Sequence, residues 1–83
     1  MQSQLSRKSQ ELLEFYLGLP KKQRDRLFVE TARAAEIAGL SQRTIQLWIE
    51  NGVVQAVSIG KKYKVSLDSL KKHLQSEAAK HIA

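Results

Sequence analysis

The sequence predicts a small, mainly α-helical protein with one short β-hairpin, and three observations carry that class. Ile45, Trp48 and Ile49 recur at i, i+3 and i+4, the spacing of one helical face, and Leu67, Leu70 and Leu74 at i, i+3 and i+7 mark another further on. Residues 53–66 alternate instead, with Val57 and Ile59 in one run and Tyr63 and Val65 in the next. Gly18, Gly39, Gly52 and Gly60 fall between these runs, where the chain has to turn. A chain of 83 residues has room for one domain and an appendage. At that size only about 60% of the unfolded surface is buried, so the core is modest and a large cleft between two lobes is excluded.

The elements can be justified in order. Over residues 3–17, Leu5, Leu12 and Tyr16 share one helical face, with Leu13 and Leu17 beside it and Phe15 on the far flank. Arg7, Lys8, Glu11 and Glu14 fill the remaining surface. Gly18-Leu19-Pro20 ends this helix, because Gly caps it and Pro cannot extend its hydrogen bonds. Pro20 can open a second short helix through Leu27 that carries Lys21, Lys22, Arg24 and Arg26.

Residues 28–52 read as two short helices around a tight turn. Glu30 or Thr31 caps the first, and Ala34, Ala35, Ile37 and Ala38 suit it to close packing. Gly39 breaks it, and Ser41 caps a second helix that runs to Asn51 and stops at Gly52. Asn51-Gly52 could instead turn a hairpin, but the spacing of Ile45, Trp48 and Ile49 is helical.

The hairpin register follows from asking which pairing buries all four apolar residues on one side. A two-residue turn at Gly60-Lys61 places Val57 and Ile59 on the face opposite to Tyr63 and Val65. A three-residue loop, Gly60-Lys61-Lys62, pairs Ile59 with Tyr63 and Val57 with Val65, and is the expected arrangement. Lys61 and Lys62 then occupy an exposed tip, with Lys64 and Ser58 on the solvent side. Ser66 caps a last helix with Leu67, Leu70, Leu74 and Ala78 in one stripe and Lys71, Lys72 and His73 outside it. The expected division is a helical extension over residues 1–27 and a domain over residues 28–83.

Charge and composition narrow the function. Fourteen Lys and Arg against eight Asp and Glu leave a net charge of +6, which suits a polyanion, most commonly nucleic acid. The absence of cysteine excludes disulfides and thiolate metal sites and fits a reducing compartment. No apolar run approaches the roughly 18 residues of a membrane span, and no secretory leader pattern opens the chain; cytoplasmic localisation without membrane contact is expected. His73 and Glu77 are one helical turn apart but lack a third metal ligand. Gly60-Lys61-Lys62 lacks the spacing and the Ser or Thr of a phosphate-cradling loop, and no Ser-His-acid set is present. Neither catalysis nor a cofactor is expected.

A helix, a glycine turn, a Ser-capped helix, a basic hairpin and a closing helix make up a winged helix-turn-helix order, here with an added N-terminal helix. The run Ala34-Ala35-Glu36-Ile37-Ala38-Gly39-Leu40-Ser41, then Thr44-Ile45 and Trp48-Ile49, resembles the DNA-binding module of excisionases and MerR-type regulators. Gly52 and Ile59-Gly60-Lys61-Lys62-Tyr63-Lys64-Val65 extend the resemblance over roughly residues 28–75. It implies that the second helix enters the major groove of double-stranded DNA and the wing lies on phosphates or the minor groove. Arg43 is then suited to guanine, Gln46 to adenine, and Leu47 to a thymine methyl. Ser41, Gln42 and Thr44 stand at the helix start, where N–H groups and hydroxyls favour a phosphate, and Lys61, Lys62 and Lys64 supply charge from the wing. Two positions depart from the pattern. Leu47 stands where relatives are often basic, and Glu50 lies toward the same groove, either accepting from cytosine or holding Arg43 in place.

Recombination directionality or transcription regulation is the expected role, alongside a recombinase or other protein, with either a homodimer paired through residues 3–27 or cooperative tandem monomers. The alternative from another class is a protein-interaction adaptor that docks through Leu47, Glu50 and the N-terminal helix.

Overall fold

Helix α1 (Gln2–Gly18) and helix α2 (Lys21–Leu27) meet at the predicted break, where the Pro20 carbonyl accepts the Gln23 and Arg24 N–H groups at 3.0 Å each. The computed structural model describes the backbone of residues 2–82 and the side chains of residues 10–78. The predicted roles of Leu5, Arg7 and Lys8 therefore fall outside the described side chains. Arg24 turns back to close the junction. Its Nε donates to the Leu19 carbonyl at 2.8 Å and its Nη2 to the Leu17 carbonyl at 3.4 Å, and its guanidinium lies 5.5 Å from the centre of the Tyr16 ring. A cation at the end of α1 satisfies orphan carbonyls and offsets the negative end of the helix dipole.

The sequence reading missed a strand. Phe28–Glu30 forms β1, antiparallel to the second hairpin strand with Val29 opposite Val65 and Glu30 opposite Lys64. Three residues are too few to display an alternation, so the pairing partner defines this strand. Glu30 remains extended and leads directly into α3 (Thr31–Ala38). Gly39 ends α3 in the left-handed region at φ 72°, which only Gly adopts without steric cost, while the Leu40 N–H reaches the Ala35 carbonyl at 3.0 Å. Helix α4 (Gln42–Glu50) follows, and the Trp48 carbonyl then accepts both the Val53 and Val54 N–H groups to turn the chain toward β2 (Ala56–Ile59). Strand β3 (Lys62–Ser66) and helix α5 (Leu67–Ile82) complete the chain. As predicted, Ser66 caps α5, its Oγ accepting the Ser69 N–H at 3.3 Å.

The strand order is β1-β3-β2, and its register corrects the sequence reading. Ile59 pairs with Lys62, Ser58 with Tyr63, Val57 with Lys64, and Ala56 with Val65. The loop is therefore the two-residue turn Gly60-Lys61, with Gly60 at φ 63°, as a tight hairpin requires of its first turn residue. Val57 and Val65 point to opposite faces, Ile59 is 40% exposed, and Lys64 shares the Val57 side instead of facing solvent with Ser58. The three-residue loop follows only where a single sheet face is buried. Here both are.

One face, with Val29, Ala56 and Val65, closes against Ala34 and Ala35 of α3, Ile45 of α4, Leu70 of α5, and Val54 in the loop after α4. The other carries Phe28 and Val57, covered by Tyr16, Leu12 and Leu13 of α1 together with Leu19. The Phe28 ring meets Tyr16 edge-on, with centroids 5.0 Å apart at 88°. The predicted apolar faces are narrower in places: Leu17, Ile37 and Ala78 are exposed. Among the described residues no helix is long and apolar enough to cross a membrane.

Candidate nucleic-acid interface

Helix α4 is oriented by its apolar side. Ile45 is fully buried, and Trp48 and Ile49 pack partly buried beside it, which leaves Gln42, Arg43, Gln46, Leu47 and Glu50 in solvent. Trp48 sits in the core position its spacing predicts, with its ring edge-on to His73 of α5 at a centroid distance of 4.5 Å. His73 Nε2 in turn lies 3.7 Å from Glu77 Oε1, so this pair braces the back of α4. Side chains that could read a base are thereby separated from those that hold the helix.

The start of α4 is set by Ser41, which stays extended and whose Oγ accepts the Thr44 N–H at 3.2 Å and lies 3.0 Å from Thr44 Oγ1. The two hydroxyls are brought together as a cap. Since the first intrahelical bond runs from the Ile45 N–H to the Ser41 carbonyl, the N–H groups of Gln42 and Arg43 remain as donors at this end. Ser41→Ala is expected to lower stability by about 1 kcal/mol, and Ser41→Gly by only a few tenths, in urea unfolding. Equal losses for the two would show that the side-chain cap is not formed.

Arg43 and Glu50 do not pair. Among the described residues Arg33 pairs with Glu36, Lys64 with Glu30 and Lys72 with Asp68, and no ion pair joins Glu50 to Arg43. Arg43 is exposed, and Glu50 borders a cleft beside α1. Leu47, 45% exposed, completes the open face.

The hairpin divides its lysines. Lys61 sits in the turn and Lys62 beside it, both exposed. Lys64 is 29% exposed and its Nζ lies 3.5 Å from Glu30 Oε1 across the β1–β3 pairing. The sequence reading did not find Glu30 as the partner of Lys64, because that contact exists only once β1 is seen to pair. The hairpin and α4 are held to the same core, since Ile45 and Val65 belong to one buried cluster.

A glycine-linked helix pair with an exposed polar second helix, a hairpin wing and a closing helix defines a winged helix-turn-helix domain. A family model described as a helix-turn-helix domain matches residues 29–78. The chain belongs to that family, whose members are DNA-binding modules. No curated protein and no solved structure matches the chain.

Proposed function

We propose that this protein binds specific sites on double-stranded DNA, with α4 in the major groove and the hairpin wing on the phosphate backbone. The observation that carries this reading is the face of α4 opposite Ile45. There Arg43 and Gln46, the two side-chain types best suited to bidentate contacts with guanine and adenine, stand exposed and, among the described residues, without a hydrogen bond or ion pair. The N–H groups of Gln42 and Arg43, with the Ser41 and Thr44 hydroxyls, favour a phosphate at the groove edge. Leu47 supplies an apolar contact for a thymine methyl. Lys61 and Lys62 neutralise phosphates, and Lys64 joins them by exchanging Glu30 for a phosphate oxygen.

The role we assign is that of a small, non-enzymatic excisionase-like or MerR-like factor in the cytoplasm, acting in recombination control or transcription and needing no cofactor. The residue run from Ala34 to Ser41 and the hairpin from Ile59 to Val65 support it. Residues 1–27 serve as an extension to a DNA-binding unit of residues 28–83, and tandem copies on repeated sites supply the affinity that Glu50 and a single small wing limit. A second reading, as a protein-docking adaptor, rests on the exposure of Leu47 at the centre of the α4 face.

Selection of duplexes from a random pool near physiological salt tests the proposal, with an enriched motif expected. Arg43→Ala should then lose about 1–3 kcal/mol of discrimination at one base position. Replacing Lys61 and Lys62 with Ala should weaken binding evenly across sequences and flatten the salt dependence by about 0.9 per lost phosphate contact. No enriched motif, or salt slopes equal to the wild type, would refute the corresponding assignment.

A further inference from the structure

Beside the sheet lies a cleft of about 890 Å³ between α1, the end of α4 and strand β2. Its apolar walls include Leu12, Leu13 and Phe15 on one side of the sheet and Ile49 and Tyr63 on the other. Among the described residues, the charged side chains lining it are Glu11 and Glu50, although the whole chain carries +6. Neither carboxylate has an ion-pair partner among the described residues. Phe15 is 54% exposed.

The cleft also contains an open strand edge. β2 ends the order β1-β3-β2, so its outer side is unpaired. In a hairpin closed by the Ile59–Lys62 pair, hydrogen-bonded and non-bonded pairs alternate, so Val57 bonds to β3 while Ala56 and Ser58 turn their N–H and C=O groups outward. The Ser66 N–H to Gln55 carbonyl bond, 2.9 Å, falls where that alternation places it. Ala56 and Ser58 both line the cleft.

We infer that this edge is a docking site for an extended, basic segment of a partner protein, which adds to β2 as a fourth strand. Alternate side chains of such a strand enter the α1 wall and the α4 wall in turn, and Lys or Arg within it meets Glu11 and Glu50. Charge decides against a second copy of this chain as the occupant. Pairing two β2 edges sets the same carboxylates against each other, β2 itself contains no base, and the other free edge, β1, ends in Glu30.

The test uses the full chain, labelled with ¹⁵N, and a synthetic heptapeptide that alternates Val and Lys, with a Val/Glu peptide of the same pattern as control. Saturable amide shifts centred on Ala56 and Ser58 are expected with the lysine peptide, together with at least tenfold weaker binding of the glutamate peptide. Glu11→Lys with Glu50→Lys should reverse that preference. Ser58→Pro, which removes an outward N–H, should cut the lysine peptide's affinity tenfold or more, while amide dispersion elsewhere confirms that each variant is folded. Shifts absent from β2, equal binding of the two peptides, or an unaltered preference in the double variant would overturn the proposal. Concentration-dependent dimerisation abolished by Ser58→Pro would overturn it too, in favour of a second copy. Duplex binding by the same variants is read separately, and its loss or retention bears only on the DNA assignment.

Discussion

Phe28→Ala is expected to destabilise the protein by about 3–5 kcal/mol, measured by urea or thermal unfolding. A domain of this length has about 4–12 kcal/mol in total by the usual per-residue range, so this single change removes a large part of it. The ring is 4% exposed and joins three elements, packing against Tyr16 of α1 and Val57 of β2 while its own backbone belongs to β1. Truncation opens a cavity under α1 and also loses the edge-on contact with Tyr16, a geometry worth about 0.5–1.5 kcal/mol beyond burial. Phe15 is the control. Its ring lies 6.4 Å from that of Phe28 but is mostly in solvent, so Phe15→Ala should cost well under half as much. Similar small losses for both would mean that α1 does not cover the second sheet face in solution.

Ile45→Ala should cost about 2–5 kcal/mol, and Ile45→Val only about 0.5–1.5 kcal/mol. Ile45 is completely buried at the point where α4 meets α3, β3 and α5. Its loss unseats the helix that presents Arg43 and Gln46, so duplex affinity is expected to fall with the folded fraction. Lowering the temperature or adding a stabilising osmolyte should restore binding in Ile45→Ala more readily than in Arg43→Ala. The distinction matters because the two variants reach the same readout by different routes: one removes the support and the other a contact. Full duplex affinity in an Ile45→Ala protein shown to be unfolded would contradict the placement of α4 as the reading element.

Much of the fold was legible because it is written in local rules. Ser41 and Ser66 cap helices through their own hydroxyls, Gly39 takes the left-handed backbone that a side chain disfavours at a helix end, and Ile45, Trp48 and Ile49 define a face by spacing alone. The candidate reading residues Arg43, Gln46 and Leu47 were legible for the same reason. They are what remains on a short helix once its buried side is known.

Non-local pairing was not legible. Strand β1 is three residues long and exists through its hydrogen bonds to β3. Local alternation puts Lys64 on the solvent side of the wing, and only the register shows it beside Val57 and paired with Glu30. The hairpin loop turned on whether one sheet face is buried or two, a question that no pattern within residues 53–66 can answer.

What the amino-acid sequence determined by itself is therefore the set of helices, their caps, the presence of a basic hairpin and the face that α4 leaves open. What only the tertiary structure decided is the two-faced sheet, and with it the two-residue turn, the division of the lysines and the acidic cleft at the β2 edge. The physical reason is the range of the forces involved. Helix capping and periodicity act within a turn or two of chain, whereas the value of burying Val57 depends on Tyr16, whose ring reaches the sheet only after α1 has folded back across it.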